Sequence, residues 1–341
     1  MLTMKAGQIV AQRKIEIVDV PLPEMQEDQV RFKVEHACLC GSDSPMFNYD
    51  FNERRVAKYL TNDIYIDYKK ESLYPLPPGL SLHECVGTVT ESTSEKYKVG
   101  DFVLGVPIMQ YGFFEYLTLP EDRIYPMPSG PVSKQEILMS QPLGTILFGF
   151  RKLPEIRGKN VAVIGQGPMG VLMNSALKME GAAQIIGIDK HDYRLRVGEQ
   201  MGSTGDINNS ERDPRSIVET LTDGEGADLV IEVAGHHELS IELAIDLVRH
   251  DGHVMQFGVT DIDHVDNFPL GKFFYKNVTL HNSVGAFYEK DFVAASRLIA
   301  DGVVDVKPLL THTFKLDQVQ EAYETFVDRA DGAMKVLLDF S

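Results

Sequence analysis

At 341 residues the chain is longer than one ordinary domain, and two domains are the expectation. Its 43% hydrophobic and 24% charged content is that of a globular protein with a sizeable core. A formal net charge of -17, from 33 basic against 50 acidic residues, argues against nucleic acid or an anionic membrane as partner, since phosphates are gripped by Lys and Arg.

Met1 to Val10 lacks the apolar run behind a basic start that marks a signal peptide. Gln29 to Glu35 (QVRFKVE) alternates apolar and polar residues, the period of a half-buried strand. Three cysteines (Cys38, Cys40 and Cys85) are too few for a disulfide framework and fit a reducing, cytoplasmic compartment. Ser44 to Leu82 carries seven Phe and Tyr residues between Phe47 and Tyr74 and ends in Pro75, Pro77 and Pro78. It reads equally as a surface excursion packed on its own aromatics or as a substrate-covering flap. Val86 to Thr90, Phe102 to Val106 and Phe113 to Leu119 are further short strand-like runs bounded by Gly, Pro and Asp.

After about Gln141 the texture changes. Val161 to Ile164 is continuously apolar, Pro168 to Glu180 has helical periodicity, and Gln184 to Ile188 is apolar again. The alternation continues through 228–233, 238–248, 253–259 and 278–282, as in a parallel sheet covered on both faces. Phe292 to Asp301 and Phe314 to Ala330 then read as helices, and Lys335 to Asp339 as a strand. No stretch reaches about 18 uncharged apolar residues, so no membrane span is expected. The organisation expected is α/β: a β-rich domain from 1–141 and 285–341, interrupted by a doubly wound parallel sheet at 142–284.

The clearest motif lies in that insertion. Gly165-Gln166-Gly167-Pro168-Met169-Gly170 follows the strand VAVI and opens a helix, and Asp189 closes the next strand. Gly165 permits the tight turn, Gly167 lets backbone approach a pyrophosphate, and Gly170 lets helix and strand pack. The helix N-terminus offers amides and a positive dipole end to phosphates. Asp189 suits the adenosine ribose hydroxyls and would repel a 2′-phosphate, favouring NAD over NADP, an inference the neighbouring Lys190 weakens.

Cys40-Gly41-Ser42-Asp43 and His83-Glu84 bring together the donor types that zinc prefers. Their separation along the chain leaves a buried Cys and a satisfied core His as the plainer reading. His236-His237, His250 and His253 read as a strand end and a turn, without a metal role.

The chain resembles the zinc-dependent medium-chain alcohol dehydrogenases, in particular their polyol, sorbitol and sugar dehydrogenase branch. The resemblance runs nearly end to end. It includes CGSD at 40–43, LHECVG at 82–87, KVGDFV at 98–103, GFFEY at 112–116 and QPLGT at 141–145. The glycine turn, IDKHDYRL at 188–195, HTFKLDQVQEAYE at 312–324 and the final MKVLLDF complete it. The resemblance implies a GroES-like β-rich catalytic domain plus a Rossmann domain, with the active site in the cleft between them. It places Cys40 and His83 as zinc ligands, with Glu84 as a nearby carboxylate or exchangeable ligand. Ser42 falls at the position that hydrogen-bonds the substrate hydroxyl, Asp43 at that which orients the zinc-bound histidine, Thr145 against the nicotinamide, and Arg194 near the adenine.

Three departures matter. Gln141 stands where the third protein ligand is usually Cys or Glu, leaving the site one negative charge short. Pro45 stands where the family often has a relay histidine, and the four-cysteine structural zinc lobe is missing. The expectation is therefore NAD, one catalytic zinc and no structural zinc. The reaction expected is interconversion of a secondary alcohol, polyol or sugar-like, with a ketone. A zinc-free NAD(P)H-dependent quinone or enoyl reductase is the alternative, and a non-catalytic nucleotide-binding protein the more distant one. Homodimers or homotetramers are usual in the resembling family.

Overall fold

The computed structural model describes residues 2–50, 73–235, 238–259 and 267–341. Most of the aromatic excursion, and His236-His237, lie outside them. The chain divides into two compact units: 1–138 with 310–341, and 139–309.

The first unit opens with β1 (Thr3–Ala11) and β2 (Lys14–Pro21), an antiparallel pair. Then come β3 (Gln29–Cys38), the short helix α1 (Ser44–Asn48), β4 (Glu84–Ser92), β5 (Phe102–Gly105), β6 (Tyr116–Pro120) and β7 (Ile124–Pro126). Strand β3 is the hub of this unit, pairing with both β4 and β6. Its alternation is real: Val30, Phe32 and Val34 are wholly buried. The intervening Arg31 is buried as well, tied to Glu91, Thr118 and the Pro23 carbonyl, so polar residues on this strand need not face water.

The second unit supplies β8 (Asn160–Ile164), β9 (Gln184–Asp189), β10 (Gly205–Asn208), β11 (Ala227–Glu232), β12 (Val248–Gln256) and β13 (Thr279–Asn282). They form one six-stranded parallel sheet in the order β10-β9-β8-β11-β12-β13. The order reverses between β8 and β11, the point where doubly wound sheets bind ligands beyond their strand ends. This unit runs on to Leu309, beyond residue 284, because the helix at Tyr288–Ala300 packs on the helix at Ser140–Phe150. Gly144 marks that close approach: a Cβ there would lie 2.4 Å from the Phe292 ring.

The chain returns to the first unit with β14 (Leu310–Lys315), α2 (Val319–Asp328) and β15 (Lys335–Asp339). Strand β15 pairs parallel with β14 and antiparallel with β3, against the end of β3 that leads into Cys40. The two chain ends thus build one sheet, which brings Lys335 beside Glu84.

Candidate functional site

In the first unit, β3 ends at Cys38 and releases Cys40 into a single turn, Gly41–Asp43. Antiparallel to it, β4 begins at Glu84, paired with Cys38, and His83 immediately precedes it. Sheet pairing therefore does what spacing could not show. The donor atoms of Cys40, His83 and Glu84 all lie within 4.8 Å of one another.

Asp43 is fully buried in this group. Its Oδ2 accepts from the Cys40 amide at 2.8 Å, and its Oδ1 from Ser81 Oγ at 2.9 Å and from the Leu82 amide at 2.8 Å. Those donors differ from the one expected. Asp43 was to orient the imidazole directly, but His83 Nδ1 is buried with no partner. The carboxylate accepts three donors from the two segments that carry Cys40 and His83, so it orders their backbone, and it makes no bond to the ring's Nδ1. Burial opposes a charge on His83, but the negative charges of Cys40, Asp43 and Glu84 outweigh it and raise its pKa to about 9. A metal bound through this ring must displace that proton. Ser42 Oγ is the other orphan of the loop, buried without a partner, as suits a hydroxyl left open for a ligand.

Sequence reasoning missed the residue that holds Glu84. Lys335 on β15 is 2% exposed and donates to both oxygens of Glu84, at 2.7 and 2.6 Å. Burial works against its charge, yet the Glu84 carboxylate, by charge and hydrogen bond, outweighs it and raises the pKa of the amine. The one available signal was a lysine inside the apolar strand KVLLD, because a buried lysine demands a carboxylate. Glu84 keeps lone pairs for an ion, but shares its charge with an ammonium group.

The backbone leading into His83 is unusual. Ser81 has φ 102° and Leu82 φ 65°, both left-handed without being glycine, at a cost of roughly 1–3 kcal/mol each. Met109 (φ 52°) and Gln110 (φ 59°) do the same on the facing segment, where the Ser81 amide donates to the Gln110 carbonyl at 2.8 Å.

In the second unit, each glycine of the turn shows its own reason. Gly165 has φ 99°, and a Cβ at Gly170 would stand 1.8 Å from the Gly165 carbonyl oxygen. Gly167 meets only Arg194 Nη1, at 3.9 Å, and so keeps an open face. The helix Pro168–Met179 that follows has no side-chain cap, leaving its first turn free for an anion. Met169 lies in that turn. Asp189 is 7% exposed at the end of β9; its Oδ2 accepts from the Gln166 amide at 2.9 Å and from Arg194 at 3.4 Å, its Oδ1 from the His191 amide at 3.0 Å. Lys190 is exposed beside it, and Arg194 lies across the Tyr193 ring at 5.7 Å.

Gln166 turns its side chain inward, so only its backbone is open to a cofactor. Its side chain is fully buried, accepts from Asn174 at 2.7 Å, and fills the space a Cβ would take at Gly187 and Gly198. It supports the turn from beneath. Thr145 spends its hydroxyl on the Pro142 carbonyl at 2.7 Å, leaving its methyl for packing. Gln141 is buried in the first turn of the Ser140–Phe150 helix, in this second unit.

Comparison with known proteins supplies independent findings. The family model described as zinc-binding dehydrogenase matches residues 168–301. The chain is 29% identical over 338 residues to an L-threonine 3-dehydrogenase of Bacillus subtilis (strain 168), covering 94% of each. It is 26% identical to a sorbitol dehydrogenase of the same organism, with 98% of this chain and 97% of the relative covered. Among solved structures, the alcohol dehydrogenase TADH from Thermus sp. ATN1 superposes with a TM-score of 0.81 at 25% identity, covering 98% of this chain and 99% of the other.

Proposed function

We propose a function on one premise: this chain is a relative of the zinc-binding dehydrogenases. It is an NAD-dependent alcohol dehydrogenase that interconverts a secondary alcohol, of polyol or sugar-like type, with a ketone. The observation that carries this reading is the meeting of Cys40, His83 and Glu84 within 4.8 Å, from segments more than forty residues apart.

Cys40, His83 and Glu84 would hold the ion, and Ser42, with its unpartnered hydroxyl, would accept the substrate hydroxyl's hydrogen bond and relay its proton outward to water. Zinc bound there supplies a Lewis acid that lowers the pKa of an alcohol, and the nicotinamide supplies the hydride acceptor. The chain's own work is positioning. Asp43 ties the Cys40 and His83 segments together, Lys335 fixes the Glu84 carboxylate, and the first helical turn after Gly167 receives the pyrophosphate. Asp189 keeps acceptor capacity on Oδ1 for a ribose hydroxyl, which favours NAD. The three free cysteines agree with a reducing, cytoplasmic compartment. The exposed edge of the second unit's sheet fits a homo-oligomer.

Metal analysis of the purified protein tests the proposal, together with NAD-linked turnover on a panel of polyols. One zinc per chain is expected, and Cys40→Ala should lower kcat/KM by several orders of magnitude. Near-normal turnover of that variant would sink the reading. One observation favours a second reading, a zinc-free reductase: both oxygens of Glu84 are already engaged by Lys335. Full activity without any bound metal would establish it.

A further inference from the structure

The geometry points to Tyr323 as a positioning residue for His83, acting through Ser81 on the strained segment that presents the imidazole. This rests on the metal-site reading above. Tyr323 lies on α2, far along the chain, and is fully buried. Its hydroxyl donates to Ser81 Oγ at 2.7 Å, and Ser81 Oγ donates in turn to Asp43 Oδ1 at 2.9 Å. The same oxygen of Asp43 accepts the Leu82 amide at 2.8 Å. One chain of hydrogen bonds therefore runs from Tyr323 to both residues whose left-handed backbone precedes His83.

The position of the hydroxyl is over-determined by its surroundings. The Tyr323 ring stacks on Phe113 at 6.3 Å and tilts against Phe47 at 5.2 Å between ring centres. These contacts fix the ring whether or not it carries a hydroxyl, so packing alone does not require tyrosine. A buried phenol hydroxyl is costly unless bonded, and this one spends its hydrogen bond on Ser81. Left-handed conformations at two successive non-glycine residues persist only when neighbouring groups hold them. Here the holders are Asp43, Tyr323 and the facing Gln110 carbonyl. Release of this segment would let the imidazole wander from Cys40, and metal affinity would fall while the core stayed packed.

Chelator competition on the zinc-loaded protein tests the clamp, with Tyr323→Phe as the variant because the ring contacts survive. Its zinc dissociation constant should rise about tenfold, the equivalent of ~1.4 kcal/mol. Ser81→Ala cuts the same chain of hydrogen bonds at its middle, so it should weaken zinc binding to a similar extent and add little when combined with Tyr323→Phe, an outcome that two independent packing defects would not give. In metal-free protein, the His83 imidazole should give one NMR signal in the parent and several or a broadened one in Tyr323→Phe. Parental zinc affinity and a single signal in the variant would overturn the clamp. A parent that takes up no zinc overturns the metal reading instead, and the imidazole signals then decide the clamp by themselves: multiplied in the variant they support it, unchanged they refute it.

Discussion

At the end of β9 the carboxylate of Asp189 is held by three donors, two from backbone and one from Arg194. Arg194 is thus its ion-pair partner, a cation beside the place a ribose would take. Replacing Asp189 with Ser removes the charge that repels a 2′-phosphate and frees the guanidinium to bind one. The ratio of kcat/KM for NADP over NAD should rise by about tenfold or more in Asp189→Ser, each tenfold being 1.4 kcal/mol. Steady-state kinetics with both cofactors measures this, and an unchanged ratio would remove Asp189 from the specificity argument. A different kind of pairing holds Glu84. Lys335 and Glu84 are 2% and 1% exposed, so losing one partner strands a buried charge. Lys335→Met should cost about 3–5 kcal/mol in urea unfolding, and adding Glu84→Leu should recover a large part. If the single variant proved as stable as the parent, the pair would have no structural weight.

Secondary elements show which parts of the fold were readable in the chain. The turn from β8 through Gly165 into the Pro168–Met179 helix was legible because its strand is a short apolar run and its glycines have fixed jobs. Strand β12 was legible only in its second half. Its first half, Val248 to Gly252, is mostly polar, includes Asp251 at φ 55°, and pairs with a neighbouring strand only at Val248, so no period of two runs through it. The β1–β2 pair was legible and was missed, since KIEIVDV at 14–20 alternates apolar and polar, whereas the four residues of β10 are too few to show a period. Strands β12 and β13 also pair His253, read from the sequence as a turn residue, with His281, which lies in the strand-like run 278–282. His253 Nδ1 and His281 Nε2 are 3.1 Å apart, and burial lowers the pKa of both. Their folded-state pKa values lie below the unfolded value near 6.5, so the unfolded chain binds more protons as pH falls. The stability they contribute is present above about pH 6.5 and is lost as pH falls through their lower folded values. Urea midpoints from pH 7.5 down to 5.5 should therefore decline, and less steeply in His281→Asn. Parallel pH profiles for the two proteins would show that the pair contributes nothing.

On the scale of the molecule, the candidate site was legible as residue types and not as geometry. Cys40, His83 and Glu84 were identified from their donor chemistry and resemblance, but only the pairing of β3 with β4 brings them together. Ser81 and Tyr323 left no signal, and Lys335 only that of a lysine in an apolar strand, because their roles depend on β15 and α2 returning from the far end of the chain. The second unit poses a question of assembly. Strand β13 ends its sheet, so its outer backbone groups have no partner strand among the described residues. Exposed edges of this kind invite pairing with another chain unless they are short, charged or covered. This edge is short, at four residues, but it is uncharged, and exposed apolar side chains lie near it along the chain: Phe274, Tyr275 and Val284 are 69%, 79% and 84% exposed, and Leu280 and Phe287 join them. A monomer of net charge -17 has no need of such a patch for solubility, and a second copy of the same edge would cover it by strand pairing about a twofold axis. The parent should therefore run as a dimer or larger in light scattering at micromolar concentration. Leu280→Asp puts a negative charge on this edge in each copy and should shift the mass to a monomer, with NADH binding retained as evidence that the sheet is intact. A monomeric parent, or a variant that stays assembled, would place the interface elsewhere.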